Sequence, residues 1–262
     1  MIFVDQLNRK LRLKKTPKRI ISLVPSQTEL LVDLGLEDLV VGVTKFCVHP
    51  QHLRKEKTVV GGTKQVNIQK IEALHPDIIL CNKEENTKDM IGELDLIAPV
   101  HISDINNLDD CFNLIERYGE LFEVSAKASE IINGILKERK LFHNKITSYE
   151  KYKVAYFIWK KPWMVAASDT FIDYMIHDAG YINVFQSEKR YPEIDLNCPE
   201  LNDVDSIFLS SEPYPFKQKH VLELKAQFPK KNIEIVDGEL FSWYGSRLQK
   251  SYRYFESLYM SE

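Results

Sequence analysis

One uninterrupted amphipathic stretch at the middle of the chain, EVSAKASEIINGILKERKLFHNKITSYEK, does most to limit what it can fold into. Val124, Ala128, Ile131, Ile135, Phe142 and Ile146 recur at helical spacing on one face, with charge around the rest. No proline breaks the run, and Gly134 costs only about 1 kcal/mol against alanine. A helix from Ser125 to Ser148 would be roughly 36 Å long, long enough to span two lobes rather than cover one. The segment also lacks the Gly, Ser and Pro content of a flexible linker. The sequence therefore predicts a lobe over 1–123, a rigid connecting helix over 124–150 and a second lobe over 151–262.

On either side, short apolar strands alternate with amphipathic helices, the pattern of parallel sheets flanked by helices. RIISLVP runs into SQTELLVDLG, where Ser26 and Glu29 read as a capping box and Gly35 as a helix stop. DLVVGVT, PDIILCN and APVHIS are further strands. The second half repeats the plan with KVAYFIW, SDTFIDYMIHDAG, VDSIFLSS and NIEIVD, then a last helix from Gly245. The fold class is α/β: two Rossmann-like lobes with parallel sheets, joined by one long α-helix. Ser26, Thr28 and Gly35 correspond in order to Ser168, Thr170 and Gly180. Glu72, Asp77 and Glu84 correspond to Glu200, Asp205 and Glu212, which suggests a duplicated plan.

A formal net charge of −3 carries no basic excess for a nucleic-acid partner, and no apolar stretch approaches a membrane span. The N-terminus has neither an apolar signal core nor a small-residue cleavage site. The expected location is cytoplasmic if Met1 is the natural start and periplasmic otherwise. Cys47, Cys81, Cys111 and Cys198 are scattered, which reads as packed thiols rather than a disulfide framework or zinc ribbon.

Candidate chemistry gathers at predicted strand ends, where ligands bind in open α/β sheets. All three tryptophans, Trp159, Trp163 and Trp243, fall there, beside Lys160, Lys161, Tyr244 and Arg247. Such side chains suit a wide, partly apolar ligand. SSEPYPF adds Glu212, Tyr214 and Phe216 after another strand. Cys47 and His49 in TKFCVHP, with Glu84 and Glu85 in KEEN, are metal ligands in type, although one Cys and one His do not complete a site. There is no phosphate-binding glycine loop, nucleophile elbow or H-E-x-x-H motif, so no catalytic residue or catalytic cofactor is assigned.

Three segments carry a family resemblance. PKRIISLVPSQTELLVDLGLEDLVVGVT resembles the first strand, helix and second strand of the helical-backbone metal receptors. GGTKQVNIQKIEALHPDIILCNKEEN and SDTFIDYMIHDAGYINVF are similar to two further blocks of that family. These are the substrate-binding proteins of ABC importers for cobalamin, haem and ferric siderophores. The resemblance covers nearly the whole chain and is nearest to cobalamin-binding members. It implies a metal-chelate ligand, a corrinoid first, held in a cleft between lobes.

The first-lobe rim so implied is Pro25, Ser26, Gln27, Phe46, Cys47, Gly62 to Lys64, and Lys83 to Asn86, including Glu84. The second-lobe rim is Trp159, Lys161, Trp163, Glu212, Tyr214, Trp243, Tyr244 and Arg247. For haem, Arg247, Lys64 and Lys161 would meet propionates, and His49 would be an axial ligand to a cobalt or iron. The resemblance also implies an ABC permease as partner, docked through a surface Glu on each lobe. Gln69 stands where the family has the first of these; Glu72 and Glu200 are the candidates here. Two alternatives stay open: a cytosolic corrinoid or metal carrier or sensor without a transporter, and a metal-dependent enzyme using Cys47, His49, Glu84 and Glu85.

Overall fold

A computed structural model of the protein describes residues 2–147 and 150–259; the expected helix end at Ser148 lies outside them. The chain forms two compact units. The first comprises residues up to Ile105, Asp109–Leu136 and Tyr244–Arg247. The second comprises Asn106–Leu108, Lys137–Trp243 and the residues from Leu248 onward.

The first unit opens with an antiparallel hairpin, β1 (Ile2–Val4) and β2 (Lys10–Arg12). Its main sheet has five parallel strands: β3 (Ile20–Ser22), β4 (Val40–Thr44), β5 (Thr58–Gly61), β6 (Ile78–Asn82) and β7 (Val100–Ser103). Their order is β5-β4-β3-β6-β7. Every residue of β3 and β6 is buried, which is why both read as near-continuous apolar runs rather than alternating ones. Helices α1 (Pro25–Asp33), α2 (Leu53–Glu56), α3 (Ile68–Ala73), α4 (Lys88–Leu94) and α5 (Leu108–Leu121) follow the strands. Ile21, Leu23, Val60, Ile71, Ile79, Met90 and Leu94 make one core.

The long amphipathic stretch forms α6 (Ser125–Ile146), a 22-residue helix. Ala128, Ile131, Ile135 and Phe142 are buried along one face. The boundary between the units falls inside this helix, between Leu136 and Lys137, rather than at its ends.

In the second unit the strands are β8 (Lys153–Trp159), β9 (Met164–Val165), β10 (Ile182–Asn183), β11 (Ser206–Ser210) and β12 (Asn232–Val236). The parallel order is β10-β8-β11-β12, with β9 antiparallel on β8. Its helices are α7 (Phe171–Asp178), α8 (Gln218–Gln227), α9 (Gly238–Ser242) and α10 (Leu248–Tyr259). Phe157, Val165, Phe185, Ile207, Leu209, Phe216 and Leu224 form one core. Around α10, Tyr252 and Phe255 pack on Phe142 of α6. Arg139 pairs with the buried Asp178 at 2.5 Å, and the Tyr252 hydroxyl donates to the same carboxylate at 2.8 Å.

Two of the correspondences expected between the halves hold at individual atoms, whereas the Ser-x-Thr pairs do not match: Thr170 caps α7 while Thr28 lies inside α1. Asp77, ahead of β6, accepts from the Lys18 and Arg19 amides at 2.8 and 3.0 Å, beside the start of β3. Asp205, ahead of β11, accepts from the Lys153 amide at 2.8 Å, at the start of β8. Each Asp amide in turn donates to the carbonyl of Arg19 or Lys153 at 2.8 Å. The closing glycines match too. Gly35 (φ 79°) lets the Leu36 amide reach the Leu31 carbonyl at 2.9 Å; Gly180 (φ 87°) lets that of Tyr181 reach Ile176 at 3.1 Å. Both are Schellman closures, in which a left-handed residue satisfies the last carbonyls of a helix.

Two local expectations fail. Ser26 and Glu29 make no capping box: α1 begins at Pro25 after Val24, without a side-chain cap. The proline needs no amide partner there, and Glu29 is committed elsewhere. The last helix begins at Leu248 rather than Gly245, because Gly245 has φ 99° and Tyr244–Arg247 leave the second unit for the first.

Candidate functional site

Parallel strands put all their carboxyl ends at one edge, so each unit has one rim where the loops after its strands converge. In the first unit, the loop after β6 is shaped by two asparagines. Asn82 Oδ1 accepts from the Glu84 and Glu85 amides at 2.8 and 3.2 Å, and Asn86 Nδ2 donates to the Thr63 carbonyl at 2.8 Å. This Asx geometry holds the Glu84–Glu85 pair at the rim. Lys64 Nζ donates to the Glu84 carbonyl. Burial pushes the Glu85 carboxyl up, with Lys64 opposing it and Glu84 adding to it.

After β4, Phe46 is 48% exposed, and Lys45 lies 5.0 Å from its ring centre. Lys83 pairs with Asp104 after β7 at 2.6 Å. Lys45 and Asp104 were not singled out in the sequence, because a lone charge after a strand has no pattern of its own.

Beneath this rim lies a buried polar network. Gln27 Nε2 donates to Ser103 Oγ at 2.7 Å and to the Tyr244 hydroxyl at 2.9 Å, while the Tyr118 hydroxyl donates to Gln27 Oε1 at 2.6 Å. Glu29 receives both Arg247 Nε (2.7 Å) and Nη2 (3.1 Å). Both side chains of that pair are 6% exposed. Tyr244 and Arg247 thus belong to the interior of the first unit, not to a second-lobe rim, and Ser26 and Gln27 are buried with them. The bidentate pair explains Arg247: a guanidinium leaves water only with a carboxylate that matches its fork.

Cys47 and His49 do not gather with the glutamates into a metal site. The Cys47 sulfur is buried, 3.1 Å from Thr28 Oγ1 and 3.4 Å from Thr44 Oγ1. Burial pushes its thiol up, which disfavours the thiolate that a metal needs. Among the described residues, the one group of three close ligand types is Glu37, His52 and Glu56.

The second unit's rim is aromatic. Trp159, at the end of β8, is 40% exposed and meets Tyr214 edge-on at 5.5 Å. Trp163 stacks on Phe216 at 6.1 Å and 7°, sets its edge against Phe157 at 5.5 Å, and has Lys160 Nζ 5.0 Å from its ring centre. Lys161 is exposed in the same loop, with φ 69°. Trp243 is buried, and its Nε1 donates to Glu212 Oε1 at 2.8 Å, an atom that Ser242 Oγ also reaches at 2.8 Å. Trp243 and Glu212 therefore brace each other, and Trp243 is packing rather than open rim. Phe157 and Phe216 complete the aromatic group; Phe216 is expected there from SSEPYPF, whereas Phe157 reads only as a strand aromatic.

Of the docking candidates, Glu72 is exposed on α3, as is Gln69 one turn before it, and Glu200 is half-buried in the short 3₁₀ turn Pro199–Asn202.

Two α/β units of parallel strands, with one helix whose halves belong to each, define the helical-backbone class of receptor. The chain belongs to the periplasmic binding protein family, whose model it matches over residues 20–228. It is 24% identical over 195 residues to a vitamin B12-binding protein of Vibrio parahaemolyticus, covering 74% of this chain and 70% of that one. It is 31% identical over 151 residues to an uncharacterized ABC transporter substrate-binding lipoprotein of Bacillus subtilis. That match takes in 56% of this chain and only about half, 48%, of the Bacillus protein. The fold is similar to the vitamin B12-binding protein of Vibrio cholerae, with TM-score 0.75, 22% identity, and 92% and 98% of the two chains covered. It is also similar to a periplasmic haem-binding protein of Pseudomonas aeruginosa, with TM-score 0.79, 21% identity and 94% of each chain covered.

Proposed function

We propose that the protein is the substrate-binding component of an ABC-type importer for a metal chelate, with cobalamin the first candidate and haem or a ferric siderophore behind it. The observation that carries the reading is the exposed Trp159 on the second unit's rim, set edge-on against the half-buried Tyr214. A broad ring system stacks on such faces, whereas a small ion has no use for them. The vitamin B12-binding relatives support the same ligand class.

The charges favour an amide-edged corrin over haem. Arg247, one of three cations suited to propionates, is committed to Glu29. Lys64 is engaged by the Glu84 carbonyl and stands beside two carboxylates. Lys161 is exposed for that role, as is Lys64. Glu72 and Glu200 would meet the permease.

Isothermal titration with hydroxocobalamin, haem and a ferric siderophore tests this. One-to-one binding of hydroxocobalamin is expected, weakened at least tenfold in a Trp159→Ala variant whose melting temperature is nearly unchanged. Absence of heat with all three chelates would sink the reading.

A further inference from the structure

We propose that Glu37, His52 and Glu56 form a binding site for a single divalent transition-metal ion on the first unit, away from the chelate rim. The strands fix its place. Glu37 opens the 3₁₀ turn Glu37–Leu39 immediately before β4, and His52 and Glu56 cap and end α2, shortly before β5. β4 and β5 are parallel neighbours, so what precedes both lies at the amino edge of the sheet. The chelate rim lies at the carboxyl edge.

The geometry is that of a partly assembled ligand set. His52 Nε2 and Glu37 Oε1 are 2.7 Å apart, and ligand atoms of all three residues lie within 4.8 Å of one another. Bonds of about 2.0–2.2 Å from zinc to nitrogen and oxygen set neighbouring ligand atoms about 3 Å apart, so small rotations close the set. His52 and Glu56 are four residues apart on one helical turn and so share a face. The backbone that carries them is anchored. Leu53 is fully buried between them, the Glu56 amide donates to the His52 carbonyl at 3.3 Å, and Arg54 Nη1 donates to the Lys45 carbonyl at 3.0 Å.

The 2.7 Å contact aims the Glu37 carboxylate at the ring nitrogen of His52. A metal ion replaces the shared proton, which leaves to solvent. One imidazole and two carboxylates suit zinc and its neighbours and leave a coordination position for water.

Zinc titration by calorimetry on the metal-stripped full chain tests the site without any chelate, so its outcome is independent of the transport reading. The wild type is expected to take one Zn²⁺. His52→Ala should weaken it at least tenfold, and Glu37→Gln and Glu56→Gln each by a smaller factor. Cys47→Ser should leave it unchanged. All three side chains reach solvent, so melting curves of the variants should overlay the wild type's. No zinc heat in the wild type, equal binding by His52→Ala, or loss of binding in Cys47→Ser would each overturn the proposal.

Discussion

The two rims are built on the same strand plan and from different chemistry. In each unit an aspartate pins the central strand to its neighbour, and a left-handed glycine ends the helix that follows the first strand. Beyond the strand ends the likeness stops. The first unit closes its rim with asparagine turns, paired carboxylates and lysines over a buried polar network. The second sets an aromatic stack against its apolar core and leaves Trp159 exposed. A scaffold holds its strands by a few backbone-directed bonds, and both units keep them; loops after the strands carry no such duty and are free to specialise.

The comparison breaks most visibly at Arg247. Removing one partner of a buried, bidentate pair leaves Glu29 as an uncompensated charge, so Arg247→Ala should cost about 3–5 kcal/mol by chemical denaturation. All three tryptophans lie in the second unit, so the emission maximum of the folded variant should stay where the wild type has it.

Next in size is a pH effect that separates two buried histidines. Both ring nitrogens of His101 are buried without a hydrogen-bond partner, whereas His220 Nδ1 accepts from the Lys217 amide at 2.9 Å. Burial pushes His101 down to about 3 from an ordinary 6.5, with Arg117 and Arg9 adding to the effect. The unfolded chain therefore takes up this proton first. Stability is intact above pH 6.5 and is lost as pH falls toward 3, by up to about 1.4 kcal/mol per unit. His101→Phe should flatten the decline between pH 7 and pH 5, read from melting temperatures.

Trp163→Ala sharpens the contrast on the other side. The ring is half-buried against Phe157 and Phe216, so about 2 kcal/mol is expected, below the 3–5 of a fully buried aromatic. A neutral result would make Trp163 open rim like Trp159.

The smallest effect tests what the units share. Asp77→Ala and Asp205→Ala should each cost about 1 kcal/mol through lost backbone bonds. A clear inequality between them would mean that the matched bonds do not carry matched duties.

The α/β class, the long helix and most inner strands were legible because period and apolar runs are local properties. The helix stops at Gly35 and Gly180 were legible for the same reason. β5 was missed because TVVG is short and its glycine reads as loop, and the hairpin β1–β2 because three-residue strands carry no period. At the rims, Trp159, Tyr214, Phe46 and the glutamate pair are found at strand ends, as the sequence predicts. Tyr244 and Arg247 were misplaced because their partners, Gln27 and Glu29, lie more than 200 residues away along the chain. Ser26 and Glu29 looked like a capping box for the same reason: spacing cannot report a distant competitor for a side chain. Trp243 looked open until Glu212 was seen to hold its indole nitrogen.

The return of Tyr244–Arg247 to the first unit sets a schedule for synthesis. A chain made from its N-terminus has β3, α1 and their neighbours in hand early, yet Gln27 and Glu29 meet their last partners only when residue 247 leaves the ribosome. The first unit to be translated is thus among the last to be finished, and a gene fragment ending after α6 would encode a body missing part of its own interior.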